Sequence, residues 1–285
     1  MHHDKLFKGA MFIIAAELMF ASMGASIRMV SEDVGNATIV FARNLFALFL
    51  LAPLFLKQGA NLKTKVPMLH LLRGVMGVSA MFCFFYAIAH MPLADAMLLK
   101  LASPLFIPFV ALFWLHERFT YHVLIALAVG FTGVGIILMP NFSEVAPVAA
   151  IALLGGVFAA VAKVTVRRLS ATEPSQRTVY YFAIVGTIVS GVSLIWFGET
   201  VTWEQIKILI LVSIFASLGQ LAMTQGFACA PAARLAPFTF FSVVFGALLG
   251  WYFWEEIVTL ATLGGALLVM LSGFITGRGR RETAS

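Results

Sequence analysis

The chain alternates between long apolar blocks and short polar connections. A hydrocarbon core about 30 Å thick requires about 20 consecutive apolar residues per helix, so each block predicts one transmembrane span. No connection is longer than about ten residues, which leaves no room for a soluble domain. The pattern predicts an all-α membrane protein with ten transmembrane helices, at 8–30, 37–56, 67–89, 93–115, 121–139, 146–168, 178–197, 205–229, 232–254 and 258–276.

The composition excludes an ordinary soluble protein. Of the 285 residues, 61% are hydrophobic and 11% are charged, and the mean hydropathy is +0.98. Average soluble chains are about 45–50% apolar and about 25% charged. The first block carries Glu17 and is not followed by a small-residue cleavage site, so we expect a retained helix rather than a signal peptide.

The net charge of +6 is distributed as membrane topology requires. Basic residues concentrate in alternate connections and acidic residues in the others, as the positive-inside rule describes. We therefore expect a bacterial inner-membrane protein with both termini in the cytoplasm, and no nucleic-acid partner. The basic positions are Lys5, Lys8, Lys57, Lys63, Lys65, Arg118, Arg167, Arg168, Arg177, Arg234, Arg278, Arg280 and Arg281; the acidic ones are Glu32, Asp33, Glu144, Glu199, Glu204, Glu255 and Glu256.

The second half of the chain repeats the first without a gap. A shift of 139 aligns Pro92 with Pro231, Ser103 with Ser242, and Glu117 with Glu256. The shift spans five predicted helices, an odd number, so the two halves have opposite orientations in the membrane. We expect two inverted five-helix repeats at 8–139 and 146–276, followed by a basic cytoplasmic tail at 277–285. In such proteins the substrate site lies near the midplane, between the halves.

Small residues recur at helical spacing inside several spans. Gly246 and Gly250, and Gly273 and Gly277, have G-x-x-x-G spacing, which lets helix backbones approach closely in lipid. Packing within the chain is the favoured interpretation, and a homodimer is the alternative.

Several motifs are similar to those of a known family. The run Tyr86-Ala-Ile-Ala-His-Met-Pro-Leu-Ala-Asp95, the pair Ser103-Pro104, the triplet His116-Glu117-Arg118 and the spacing Gly130-x-x-Gly133-Val-Gly135 resemble the EamA domain of the drug/metabolite transporter superfamily. The second half resembles it more weakly, through Ala228, Pro231, Ala232, Ala233, Leu235, Phe241, Glu255 and Glu256.

The resemblance implies ten helices, with the first four of each half lining a central cavity and the fifth and tenth at the periphery. Family members carry amino acids, nucleotide sugars, vitamins, nucleoside-like metabolites and drugs. The Met-Pro-Leu-Ala-Asp version looks closest to a branch that contains carriers of S-adenosylmethionine and of vitamins. The chain departs from the common pattern at Glu17 and Lys100, where neutral residues are expected.

Charged residues inside the spans are the main candidates for function. An ionisable group at the helix centre costs about 2.5–3.5 kcal/mol on insertion scales, so it usually faces a partner or a wet cavity. Glu17 lies near the middle of the first span, on one helix face with Phe20, Gly24 and Arg28. It is the candidate for proton coupling, because a desolvated carboxyl can titrate near neutral pH. A structural hydrogen bond to a neighbouring helix is the alternative.

The candidate substrate-binding residues follow from the other polar groups in the spans. Arg43 and Lys100 each lie about 10 Å below the outer ends of their helices, and together they suit a carboxylate or phosphate. Lys100 shares a face with Ser103, although a lysine there can also snorkel to the surface. Tyr86 offers a stacking surface, with packing as the alternative. Gln220 and Gln225 add hydrogen-bonding groups in the eighth span.

We expect structural roles for the remaining charges in the spans. We expect Arg73 and Lys163 to snorkel towards the cytoplasm. Asp95 lies close to an outer helix N-terminus and is read as a cap, and Glu117 is read as a helix-end residue.

The sequence carries no catalytic motif. His116-Glu117 followed by His122 does not match H-E-x-x-H, and Cys83 and Cys229 have no C-x-x-C neighbour, so no metal or other cofactor is expected. The pattern favours a secondary-active or facilitative carrier of a small organic metabolite, carboxylate-bearing or zwitterionic, that works by alternating access. A proton-coupled exporter of cationic drugs or amines, acting through Glu17, is the alternative within transport. A membrane-embedded enzyme and a scaffold subunit are the alternatives outside it.

Overall fold

The protein is an α-helical bundle in a computed structural model that describes residues 2–57, 62–115, 121–138, 142–169, 172–229, 238–239 and 241–282. No β-strand occurs within these ranges. The helices are α1 His2–Val30, α2 Asn36–Lys57, α3 Pro67–His90, α4 Leu93–Leu101, α5 Ser103–Leu115, α6 Tyr121–Leu138, α7 Phe142–Leu169, α8 Ser175–Phe197, α9 Trp203–Cys229, α10 Phe241–Trp254 and α11 Leu260–Glu282.

Six of the described helices are long and apolar enough to cross a membrane, and three shorter apolar segments accompany them. The predicted all-α membrane class is therefore confirmed. The six segments are Phe7–Val30, Asn36–Pro53, Pro67–His90, Ala146–Val166, Arg177–Phe197 and Trp203–Met223. The first part of the predicted ninth span and the Glu117 position lie outside the described residues.

Helix packing follows the internal repeat. Helix α1 packs on α9 as its counterpart α7 packs on α3, and α1 meets α10 as α7 meets α5. Replacing each helix by its counterpart in the other repeat also relates the α2–α9 contact to the α8–α3 contact. Helix α2 packs on its own counterpart, α8. The main contacts between the two halves thus occur in equivalent pairs, as we expect for two repeats around a shared interface.

The α6–α11 pair lies to one side of the bundle. The two helices pack chiefly on each other and make few contacts with the remaining helices, which agrees with the peripheral position that the resemblance implies. Close approach depends on Gly133, because a Cβ added there would come 2.8 Å from the Gly265 carbonyl oxygen and 2.9 Å from the Leu268 side chain. The small residues between α6 and α11 therefore serve packing within the chain. The alternative, a homodimer, stays a prediction.

The predicted fourth span is broken into α4 and α5 at Ala102. Pro104 has no backbone N–H, so the Lys100 carbonyl cannot receive the usual helical hydrogen bond. Tighter bonds from Ala102 to the Leu99 carbonyl and from Leu105 to the Ala102 carbonyl, 3.0 and 2.9 Å long, bridge the break. The irregularity sets the directions of the two polar side chains that flank it, Lys100 and Ser103.

Candidate functional site

Five ionisable residues from five helices form what we call the buried charge cluster: Glu17 of α1, Arg43 of α2, Arg73 of α3, Lys100 of α4 and Lys163 of α7. Glu17 and Arg43 are buried, Arg73 and Lys100 are half-buried, and Lys163 is exposed. Glu17 interacts electrostatically with Lys100 and Lys163, Lys163 also interacts with Arg73, and Arg73 interacts with Arg43. The interactions form a continuous chain through the bundle, and both repeats contribute to it. Four members are basic and one is acidic.

The Glu17 carboxylate is the acidic member. The residue is 6% exposed, and its carboxylate makes no hydrogen bond and no ion pair within 4 Å to any described residue. The nearby Lys100 ammonium lies over aromatic rings instead, with Nζ 4.6 Å from the Phe20 centroid and 5.3 Å from the Phe84 centroid. Phe20 comes from the same face of α1 as Glu17, as the sequence predicted. The carboxylate and the ammonium are therefore close but not locked together.

Lys163 indicates an accessible space inside the bundle. It shares one face of α7 with Ala152, Gly156 and Ala160, which are all buried, yet Lys163 itself is exposed. Its Nζ donates a hydrogen bond of 2.7 Å to the buried Ser103 hydroxyl of α5. The side chain therefore reaches across the interior towards the helix break. The expectation that Lys163 snorkels to the end of its helix is wrong, because its partner lies deeper in the bundle.

Arg43 and Arg73 form the other end of the cluster. Arg43 is 6% exposed and donates to the Asn44 side-chain oxygen at 3.1 Å. Arg73 places its guanidinium 4.2 Å from the centroid of the Phe182 ring. The Nε atoms of both arginines are buried without a hydrogen-bond partner in the part of the chain that is described. The expectation that Arg73 snorkels towards the cytoplasm is therefore wrong, because the Phe182 ring holds its guanidinium between α3 and α8.

The other predicted site residues are distributed differently. Gln220 is exposed although it shares a face of α9 with Ser213 and Ala216, which are buried, so it faces the interior space. Gln225 lies on the opposite, outward stripe of α9 with Leu218, which is also exposed.

Tyr86 lies near the C-terminal end of α3, half-buried. Its ring stacks on the ring of His90 with centroids 4.0 Å apart. The structure brings Ser103 to the cluster through Lys163. Within the described part of the chain, the Tyr86 side chain makes no hydrogen bond or ring contact with the five charged residues. Tyr86 remains a prediction as a stacking residue.

One end of the bundle is closed by what we call the Glu256 network, made of Arg28, Leu93, Asp95, Glu256 and Thr262. Glu256 forms an ion pair with Arg28 and accepts a hydrogen bond of 2.9 Å from the Leu93 backbone N–H at the start of α4. Asp95 accepts a hydrogen bond of 3.0 Å from the Thr262 hydroxyl. The helix cap of α4 is thus Glu256, and the prediction that Asp95 caps it is wrong. These bonds join the two repeats.

The opposite end carries the Glu173 network, made of Thr64, His70, Glu173 and Arg177. The Glu173 carboxylate accepts hydrogen bonds from Thr64 at 2.7 Å and from Arg177 at 2.5 Å, and His70 Nε2 lies 3.9 Å away. Burial raises the pKa of Glu173, but the Thr64 bond and the bond and charge of Arg177 oppose this, and the net pKa lies below its usual value. This network also joins the two repeats.

Sequence reasoning missed two members of the cluster, Arg73 and Lys163. A signal for Lys163 was available, because the small residues Gly156 and Ala160 precede it at helical spacing on the same face. Such a stripe makes a close helix contact, and a lysine on it points between helices rather than away from them. Arg73 carried no comparable signal, since its aromatic partner comes from a distant helix. Within the described residues, no group of His, Cys, Asp or Glu could hold a metal ion.

The sequence is similar to known transporters over almost its full length. The pseudopaline exporter CntI of Pseudomonas aeruginosa is 34% identical over 282 residues, which is 98% of this chain and 99% of the relative. The S-adenosylmethionine uptake transporter of Rickettsia bellii is 25% identical over 233 residues, 81% of this chain and 80% of the relative. A solved crystal structure with 17% identity superimposes with a TM-score of 0.65 and covers 93% of this chain and 96% of that chain.

The family assignment rests on both halves of the chain. Residues 7–139 and 147–278 each match the model of the EamA-like transporter family. Together with the transporter relatives, these matches confirm that the protein is a membrane transporter and not an enzyme. The chain therefore belongs to the EamA-like transporter family.

Proposed function

We propose that this transporter carries a small carboxylate-bearing or zwitterionic metabolite, and that the buried charge cluster binds it. The observation that supports the proposal is the excess of interior positive charge. Lys100 rests on aromatic rings and Lys163 bonds to a neutral hydroxyl, so neither has a carboxylate within 4 Å among the described residues. Charged side chains inside a membrane protein usually face a partner or a wet cavity, and an anionic ligand would supply the missing partner.

The arrangement of Glu17, Lys100 and Lys163 suits a zwitterion. A substrate carboxylate between the ammonium groups of Lys100 and Lys163 would form an ion pair with each of them. Ser103 would provide an additional hydrogen bond. Glu17 would then receive the substrate amine, or a proton when the amine is absent. The Lys100 ammonium lies over the rings of Phe20 and Phe84. It can therefore turn from the rings to the ligand without breaking a salt bridge.

The two end networks support alternating access. The Glu256 network and the Glu173 network each tie one repeat to the other at opposite ends of the bundle. In this proposal, a substrate reaches the interior when one of them opens. Rocking of the repeats about a central site would break one network while keeping the other.

The direct test is counterflow in liposomes that contain only this protein. Preloaded S-adenosylmethionine, glutamate, glutamine and citrate would each be exchanged against labelled external substrate. We expect saturable exchange of a carboxylate-bearing compound, with a loss of at least about tenfold in Lys100→Gln. The control is Lys207→Gln, which removes an equal charge from an exposed pair with Glu204.

A cationic drug exporter is the competing function, because Glu17 is acidic and interior. It predicts that Glu17→Gln abolishes transport of quaternary amines while Lys100→Ala is tolerated. The four basic members of the cluster disfavour that substrate, since like charges would meet it inside the bundle. Transport of cations alone would overturn our proposal.

A further inference from the structure

The Arg43–Arg73 pair is an unusual feature of the interior. The two guanidiniums come from neighbouring helices, α2 and α3, and each repels the other. No carboxylate of a described residue lies within 4 Å of either, and both Nε atoms are buried without an acceptor. Among the described residues, Asn44 accepts a hydrogen bond from Arg43, and the ring of Phe182 lies against Arg73.

Such a pair is unfavourable for folding. Two like charges in a poorly solvated space oppose assembly, and each unsatisfied buried donor adds to the cost. Their direct neighbours, Asn44 and Phe182, are neutral and do not offset the two positive charges. An arginine fork is the side chain best suited to hold a carboxylate or phosphate in a bidentate manner.

We propose that Arg43 and Arg73 form a second anion subsite, so that the substrate class is a zwitterion with at least two anionic groups. This inference rests on the proposed function, in which Lys100 and Lys163 receive the first carboxylate. Lys163 interacts electrostatically with Arg73 and connects the two subsites. In this proposal one ligand spans them, with its amine on Glu17 and its second carboxylate or phosphate on the arginines.

The geometry also gives the second subsite selectivity. Arg43 Nε and Arg73 Nε are both buried donors without an acceptor among the described residues, so an incoming oxyanion could accept a hydrogen bond from each. A ligand that presents a neutral amide there supplies one acceptor oxygen but also an NH₂ group that faces positive charge. Discrimination between acid and amide should therefore be strong.

The test uses matched acid and amide probes on the purified full chain. Thermal stabilisation would be titrated with L-glutamate against L-glutamine, with L-aspartate against L-asparagine, and with citrate. In the wild-type protein we expect at least one acid to bind at least about tenfold more tightly than its amide. In Arg73→Gln the acid and the amide should bind within about twofold of each other, because the extra carboxylate no longer has a fork to meet.

A second measurement distinguishes a ligand subsite from a structural role. If Arg73 serves the ligand, Arg73→Gln should melt at an equal or higher temperature than wild type when no ligand is present, because repulsion of Arg43 is relieved. Arg73→Lys keeps the charge but not the fork, so it should recover only part of the preference for acids. Lys207→Gln is the charge-matched control and should keep the full preference.

The outcomes separate this inference from the function on which it rests. One outcome is that amino acids with one carboxylate bind, that Lys100→Gln abolishes their binding, and that acids bind no more tightly than their amides. In that case the second subsite is absent and the proposed function survives. The second subsite is also overturned if Arg73→Gln still binds acids more tightly than their amides. If no carboxylate compound stabilises the wild-type protein, both proposals fail together.

Discussion

Two regions of this transporter handle buried charge in opposite ways. In the Glu256 network, Glu256 pairs with Arg28 and caps α4, and Asp95 bonds to Thr262. In the buried charge cluster, the charged groups rest on aromatic rings, a neutral hydroxyl or a neutral amide. In the first region the charged groups have partners within the protein, whereas in the second four basic residues share one carboxylate, Glu17.

The difference separates structural charges from charges that serve a ligand. A charge whose partners are all supplied by the fold contributes to stability and specifies how the repeats meet. A charge without a partner lowers stability, and its retention in the interior is explained if a ligand completes it. Substitutions should therefore affect function without stability in the cluster, and stability first in the Glu256 network.

The largest effect is expected at Lys163. Lys163→Gln removes the ammonium that bonds Ser103 and faces Glu17, and the amide can still bond the hydroxyl. Transport should fall by at least about tenfold, because a charged contact to the substrate carboxylate is lost in a poorly solvated site. The melting temperature of the ligand-free protein should not fall. Unaltered counterflow with this variant would show that Lys163 is outside the substrate path.

The next effect concerns stability. Glu256→Gln leaves an acceptor for the Leu93 N–H but removes the charge opposite Arg28. Loss of one partner of a partly buried pair should cost about 1–3 kcal/mol, which is a drop of several degrees in melting temperature. Arg28→Met and the double variant complete a thermodynamic cycle. Additive losses would mean that the two side chains do not stabilise each other, and the network would then not be a unit.

A smaller effect is expected at the hydrogen bond between Asp95 and Thr262. Thr262→Val keeps the shape of the side chain but removes the donor, at a cost of about 1 kcal/mol. Asp95→Asn keeps a carbonyl oxygen that can accept the same bond, so it should cost less. Thermal melting of both variants measures the difference. If Asp95→Asn proves the more harmful, the negative charge of Asp95 matters more than its bond to Thr262.

The fold could be predicted from the sequence because its signals are local or periodic. Apolar blocks of helical length define the spans, and a constant shift of 139 residues relates Glu117 to Glu256 and Ser103 to Ser242. The break at Ala102 is also local, since Pro104 removes one backbone donor. These features need no knowledge of which helices touch.

The site could be predicted only in part, because partners come from helices far apart in the chain. Glu17, Arg43 and Lys100 were identified from the cost of burying charge, which a single span reveals. Arg73 and Lys163 lie nearer helix ends, where snorkelling explains a lysine or arginine equally well. Only the packing of α3 on α8, and of α7 on α5, directs these two side chains inward. For the same reason, the sequence did not reveal that Glu256 caps α4, because the Leu93 N–H that it accepts from lies in the other repeat.

The smallest effect is a dependence on pH at the Glu173 network, the other paired region. The pKa of Glu173 is lower in the folded protein than its ordinary value of 4.5, so its contribution to stability is present above pH 4.5 and is lost as the pH falls through the lowered pKa. Glu173→Gln should lower the melting temperature by about 1–2 °C at pH 7 and by less at pH 4. His70 and Arg177 lie beside this carboxylate, and Tyr181 stacks on His70. The same series on His70→Gln therefore separates histidine protonation from the effect of Glu173. A difference between Glu173→Gln and wild type that grows on acidification would contradict the sign of the linkage and would place Glu173 with the unpaired charges instead.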